Sequence, residues 1–71
     1  MNDEMLKYLV DNCDGESGAV ELEDFKMRYP PSKKTAEDVK TLERLGYIVR
    51  GYADDTFYAL IVTPKAINYF K

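Results

Sequence analysis

From the first residues on, the apolar positions repeat at helical spacing. In residues 3–13, "DEMLKYLVDNC", Met5, Leu6, Leu9 and Cys13 fall on one face with Val10 at its edge. That spacing predicts an amphipathic helix. Asp3 and Glu4 suit its positive N-terminal end. "DGESG" then breaks the pattern, with Gly15 and Gly18 supplying loop conformations. In "AVELEDFKMRY", Ala19 and Val20 allow a short extended piece. Leu22, Phe25 and Tyr29 are spaced for a second helix of about two turns. Pro30 and Pro31 end it, because proline disfavours helical geometry in the residue before it.

"SKKTAEDVKTLERLGY" carries the third helix. Thr35, Val39, Leu42 and Leu45 form the expected buried stripe, and Lys33, Glu37, Lys40 and Arg44 lie roughly opposite. Thr35 with Asp38 resembles a capping box; Ser32 is the alternative cap of a longer helix. Gly46 is placed to end it. The period then changes. "YIVRGY" and "TFYALIVT" are rich in β-branched and aromatic residues, and "ADD" between them is a turn, which predicts a hairpin. Strict alternation sets Tyr58, Leu60 and Val62 on one face, and Phe57, Ala59 and Ile61 on the other. Pro64 stops the second strand and opens a short helix, "PKAINYFK", with Ile67 and Phe70 expected to face inward.

The totals narrow the chemistry. A chain of 71 residues makes one domain, residues 1–71, with a single small core. Hydrophobic residues at 45% and charged residues at 32% favour a folded chain over a disordered one. The net charge of −3 means that any nucleic-acid surface must be a local patch. Cys13 is the single cysteine, which leaves no internal disulfide and no cysteine cluster for zinc. Histidine is absent, and with it the usual general base and the commonest metal ligand. No apolar run reaches membrane-spanning length and "MNDEMLKYLV" has no basic leader, so the expectation is a cytoplasmic protein with no membrane partner.

Three patterns offer chemistry and fall short. With Gly15 at the sixth position of a calcium loop, Glu21 is the twelfth, but Val10 stands where a carboxylate is required. With Gly18 sixth, Cys13, Gly15 and Ser17 fall on ligand positions, and again no oxygen cage forms. Asp54 and Asp55 are adjacent turn residues that point apart. Cys13 lies on an apolar face with no histidine to activate it, which reads as a packed thiol. No glycine-rich phosphate loop is present, and a chain this size has little room for a closed pocket. The expectation is a non-enzymatic protein with no cofactor, no metal and no small-molecule substrate.

The order helix, helix, helix, hairpin, short helix, with "LERLGYIVRG" joining the third helix to the hairpin, resembles the winged helix-turn-helix superfamily. The "LxxLGYI" join is similar to the usual exit from its recognition helix. "VTPKAINYF" is similar to the close of its second wing strand, with Ala66 where a glycine is common. In size the chain resembles small phage and prophage proteins of bacteria. The resemblance implies an α+β winged helix: a three-helix bundle with a C-terminal β-hairpin wing and a short terminal helix. It also implies that residues 33–44 read the major groove of double-stranded DNA in transcription regulation, with Ala53-Asp54-Asp55-Thr56 as the wing tip.

Carried onto these residues, the candidate DNA-binding set is Ser32, Lys33, Lys34, Glu37, Lys40, Thr41, Arg44 and Arg50. Lysines neutralise phosphates, an arginine reaches guanine edges, and hydroxyls bond phosphate. Glu37 is able to accept from a cytosine amino group or to pair with a neighbouring lysine. Asp54 and Asp55 oppose phosphate contact by the wing. The alternative is a protein-binding or homodimerising module that uses an aromatic hairpin face of Tyr47, Tyr52, Phe57, Tyr58 and Ile61.

Overall fold

The computed structural model describes all residues, Met1–Lys71. Seven elements follow in order: α1 (Asp3–Asn12), β1 (Ala19–Glu21), α2 (Leu22–Arg28), α3 (Lys33–Arg44), β2 (Ile48–Ala53), β3 (Thr56–Val62) and α4 (Pro64–Tyr69). The strands form one antiparallel sheet in the order β1-β3-β2, so β3 is central. The domain is therefore α+β, with helices on one face of a small sheet. No helix is long and apolar enough to cross a membrane.

Local chemistry sets the helix ends. Asn2 caps α1, its side chain accepting from the Met5 N–H at 3.0 Å. Ser32, not Thr35, caps α3: the Ser32 Oγ accepts from the Thr35 N–H at 3.0 Å. Asp38 is therefore not part of a capping box, and its carboxylate turns towards Asn2 and Lys34 instead. At the far end of α3 the Tyr47 N–H bonds the Leu42 carbonyl and the Gly46 N–H bonds the Glu43 carbonyl. Gly46 has φ +85°, the left-handed geometry that this exit requires. The two sequence stretches behind the family resemblance then meet in space. The Thr63 hydroxyl lies 2.7 Å from the Gly46 carbonyl oxygen and 3.1 Å from that of Tyr47, and Lys65 donates to the Leu45 carbonyl at 2.6 Å.

The core lies between the helices and one face of the sheet. Met5, Leu6 and Leu9 of α1, Phe25 of α2 and Val39 and Leu42 of α3 meet Val20, Ile48, Leu60 and Val62. Two expectations for this core need correction. Leu45 is 39% exposed, because the helix has ended by that residue and the stripe stops at Leu42. In α4 the buried residue is Ala66, and Ile67 and Phe70 are each 38% exposed. Six residues make less than two turns, and only the smallest apolar side chain of α4 sits against the core.

The pleat of β3 also departs from strict alternation. Gly51 pairs with Ala59 but Tyr52 pairs with Phe57, so Tyr58 is an extra residue in the ladder. Such a bulge re-aims the side chains beyond it. Phe57 consequently joins the helix-facing side with Leu60, contrary to the alternating pattern, and packs on the core. Its ring lies 5.7 Å from that of Tyr52. On the outer face Ile61 pairs with Val49 and Ala19. A Cβ built on Gly51 would stand 3.0 Å from Ile61 Cδ1, so Ile61 lies against the glycine.

Candidate nucleic-acid interface

The geometry of α3 decides which candidates reach solvent. Val39 and Leu42 anchor its inner side. Lys33, Glu37, Lys40 and Arg44 follow at intervals of three and four residues on the opposite side, and all are exposed. The four ion pairs of the protein include none of Lys33, Lys40 and Arg44. Three unpaired cations therefore line one ridge, with the Glu37 carboxylate among them.

The remaining candidates are engaged. The Ser32 hydroxyl is the helix cap and also bonds the Thr35 hydroxyl at 3.1 Å. The Thr41 hydroxyl donates to the Glu37 carbonyl at 3.0 Å, one turn back along the helix. Lys34 bonds both oxygens of Asp38, at 3.1 and 3.2 Å. Asn2 donates to the same carboxylate at 2.9 Å, and this bond, with help from Lys34, holds the Asp38 carboxyl below its usual range despite partial desolvation. Arg50, the only cation of the hairpin, is tied to Glu43 at 3.2 Å. Glu43 decides how far Arg50 is available, yet nothing in the sequence pattern singles it out. Its position one residue past Leu42 puts it on the flank of α3 from which it meets Arg50 of β2.

The five aromatic and aliphatic candidates do not form one face. Tyr52 and Phe57 lie together near the hairpin turn, and the Arg50 guanidinium lies over the Phe57 ring. Ile61 lies on the outer face beside the exposed Val49, and Tyr58 is exposed at the bulge. Tyr47 sits against α4, its ring 5.4 Å from that of Tyr69 and 4.8 Å from Lys65 Nζ. The hairpin turns at Asp54 and Asp55, both exposed and both with positive φ.

No group of three or more His, Cys, Asp or Glu side chains is placed to hold a metal ion. In the 14–18 loop, Asp14 accepts from both the N–H and the hydroxyl of Ser17 at 2.9 Å, bonds that keep its carboxyl below the usual range. That carboxylate is committed to its own turn. Compared with known proteins, the chain matches no family model, no characterised protein and no solved structure at a significant level.

Proposed function

We propose that the protein is a winged-helix DNA-binding domain that reads duplex DNA with the outer ridge of α3, in the manner of a small phage-type or prophage-type transcriptional regulator. One observation carries the reading. In a chain with 13 acidic and 10 basic residues, Lys33, Lys40 and Arg44 stand on one exposed helix face with no ion-pair partner. The hairpin directly after α3 supports the winged-helix assignment. Arg44, near the helix end, is the candidate for base or phosphate contact, and Lys33 and Lys40 for phosphate.

Few cations mean weak and salt-sensitive binding. Three phosphate contacts give a slope of log affinity against log salt of about −2.7. The test is anisotropy of a labelled short duplex at low salt, with the wild type and with Lys40→Glu/Arg44→Glu. The double variant keeps the far-ultraviolet circular dichroism of the wild type and loses roughly tenfold or more in affinity. Equal binding by the two proteins removes α3 as the reader.

A second reading follows from the wing. Arg50 is held by Glu43, and the tip presents two carboxylates, so the hairpin offers nothing to phosphate. Its exposed Val49 and Tyr58 suit a protein partner or a second copy of the chain. No binding to duplex DNA at low salt, with a dimer in sedimentation, selects this reading over the first.

A further inference from the structure

We infer that the cleft between α2, α3 and the hairpin is a binding site for a small amphipathic acid, an apolar body with a single carboxylate that meets Lys26. The cleft measures about 350 Å³, within the range of small-molecule sites. It is open at the surface. Phe25, Val39 and Leu60 form its buried floor, and Leu22, Tyr29 and Phe57 its walls. The bulge in β3 is what turns Phe57 into this space. The inference does not rest on DNA recognition: the cleft shares Ser32 and Arg50 with the candidate DNA-binding set but none of the exposed ridge of Lys33, Lys40 and Arg44.

Charge complementarity names the ligand. Aspartate and glutamate are the commoner charged residues of the chain, yet neither lines this cleft. The two charged residues that do are Lys26 and Arg50, both cations. Arg50 is occupied by Glu43 and by the Phe57 ring. Lys26 enters none of the ion pairs and is exposed at the rim. A carboxylate at the mouth therefore finds an unpaired ammonium, while the rest of the ligand displaces water from apolar walls.

A second, separate observation lies in Tyr29. Its hydroxyl is buried and has no hydrogen-bond partner, although the residue lines the cleft. Buried hydroxyls are almost always bonded, so this one is an unmet donor in the wall of the cleft. Desolvation raises the pKa of this phenol, so it stays an O–H donor across the neutral range. An aromatic acid fits best, since Phe25 and Tyr29 already stack with centroids 5.4 Å apart and present their rings to the cleft.

The test uses the whole chain without DNA. Amide-detected NMR spectra are recorded during titration with 4-phenylbutyrate and, separately, with 4-phenylbutyramide. Saturable shifts centred on Leu22, Phe25, Ala36 and Phe57 are expected, with the acid bound about fivefold more tightly than the amide. In Lys26→Gln the acid loses that advantage. Ala36→Leu places a larger side chain at the cleft on an exposed, helix-compatible position, and it weakens both compounds while the spectrum remains dispersed. No saturable shift with either compound overturns the inference. So do shifts centred elsewhere, equal binding of acid and amide, or an undiminished preference for the acid in Lys26→Gln.

Discussion

Arg50 Nε donates to both carboxylate oxygens of Glu43, at 3.3 and 3.2 Å, and so ties the hairpin to α3. The same guanidinium lies 5.1 Å from the centre of the Phe57 ring. The only cation of the hairpin is thus spent inside the protein. Arg50→Ala is expected to destabilise by ~1 kcal/mol, the sum of a partly exposed ion pair and a cation–π contact. A double-mutant cycle with Glu43→Gln, read by urea denaturation, should give a coupling of ~0.5 kcal/mol. On DNA, Arg50→Ala should cost less affinity than Arg44→Ala. The reverse order would place the hairpin, not the ridge of α3, on the duplex.

Leu42 and Leu45 are both leucines of the apparent α3 stripe, and their burial is opposite. Leu42 is 0% exposed and Leu45 39%. Leu42→Ala empties a closed core and should cost ~3 kcal/mol, a large part of the stability of so small a domain. Leu45→Ala removes a partly exposed side chain and leaves no closed cavity, so it should cost only about 1 kcal/mol. Urea midpoints of the two variants check this. Equal losses would mean that the helix continues through Leu45 with its stripe intact.

Much of this architecture is legible in the sequence because periodicity reports burial directly. The face of α1 with Met5, Leu6 and Leu9, and that of α3 with Val39 and Leu42, follow from spacing alone. The exposure of Lys33, Lys40 and Arg44 follows with them, since the buried side fixes the opposite one. Period-two reasoning fails in β3, where one extra residue, Tyr58, moves Phe57 across the sheet. Nothing in "TFYALIVT" marks that slip, because every side chain in it is able to face a core. The short α4 hides its orientation for a related reason. Ala66, Ile67 and Phe70 are all apolar, and the close approach to the core selects the smallest. Pairings such as Arg50 with Glu43 and Asn2 with Asp38 join distant turns and leave no local pattern. The cleft beside Lys26 draws its lining from α2, α3 and both strands of the hairpin, and is invisible to spacing.

Asp38 supplies a pH-dependent tie between α3 and the start of α1. Asn2 and Lys34 hold its folded pKa below the ordinary value of 3.8. A depressed carboxyl pKa stabilises the fold above the unfolded value, and that stabilisation is lost as pH falls through the folded value. Asp38→Asn, which mimics the protonated acid, should therefore cost ~1 kcal/mol at neutral pH. The difference from wild type should shrink with acidification and vanish below the folded pKa. Urea denaturation across the acid range measures it. A gap that persists unchanged in strong acid would show that Asp38 acts through shape and not through charge.

The tip of the hairpin is a two-residue turn, because Ala53 pairs with Thr56 across Asp54 and Asp55. Both aspartates have left-handed backbones, with φ 50° and 66°. That geometry favours Asn-Gly, because glycine has no Cβ to crowd the carbonyl. Two adjacent negative charges add repulsion. Asp54→Asn/Asp55→Gly should stabilise the domain by ~1 kcal/mol, which raises the melting temperature by about 4–8 °C at this chain length. The same variant removes two negative charges from the hairpin, so under the proposed DNA-binding reading the affinity for duplex should rise at low salt and converge with wild type at high salt. Asp54→Asn alone separates the two effects, since it neutralises one carboxylate without adding a glycine. A melting temperature raised by the double variant but not by Asp54→Asn assigns the gain to the φ of Asp55. An unchanged melting temperature in both would mean that the turn does not hold the left-handed conformation.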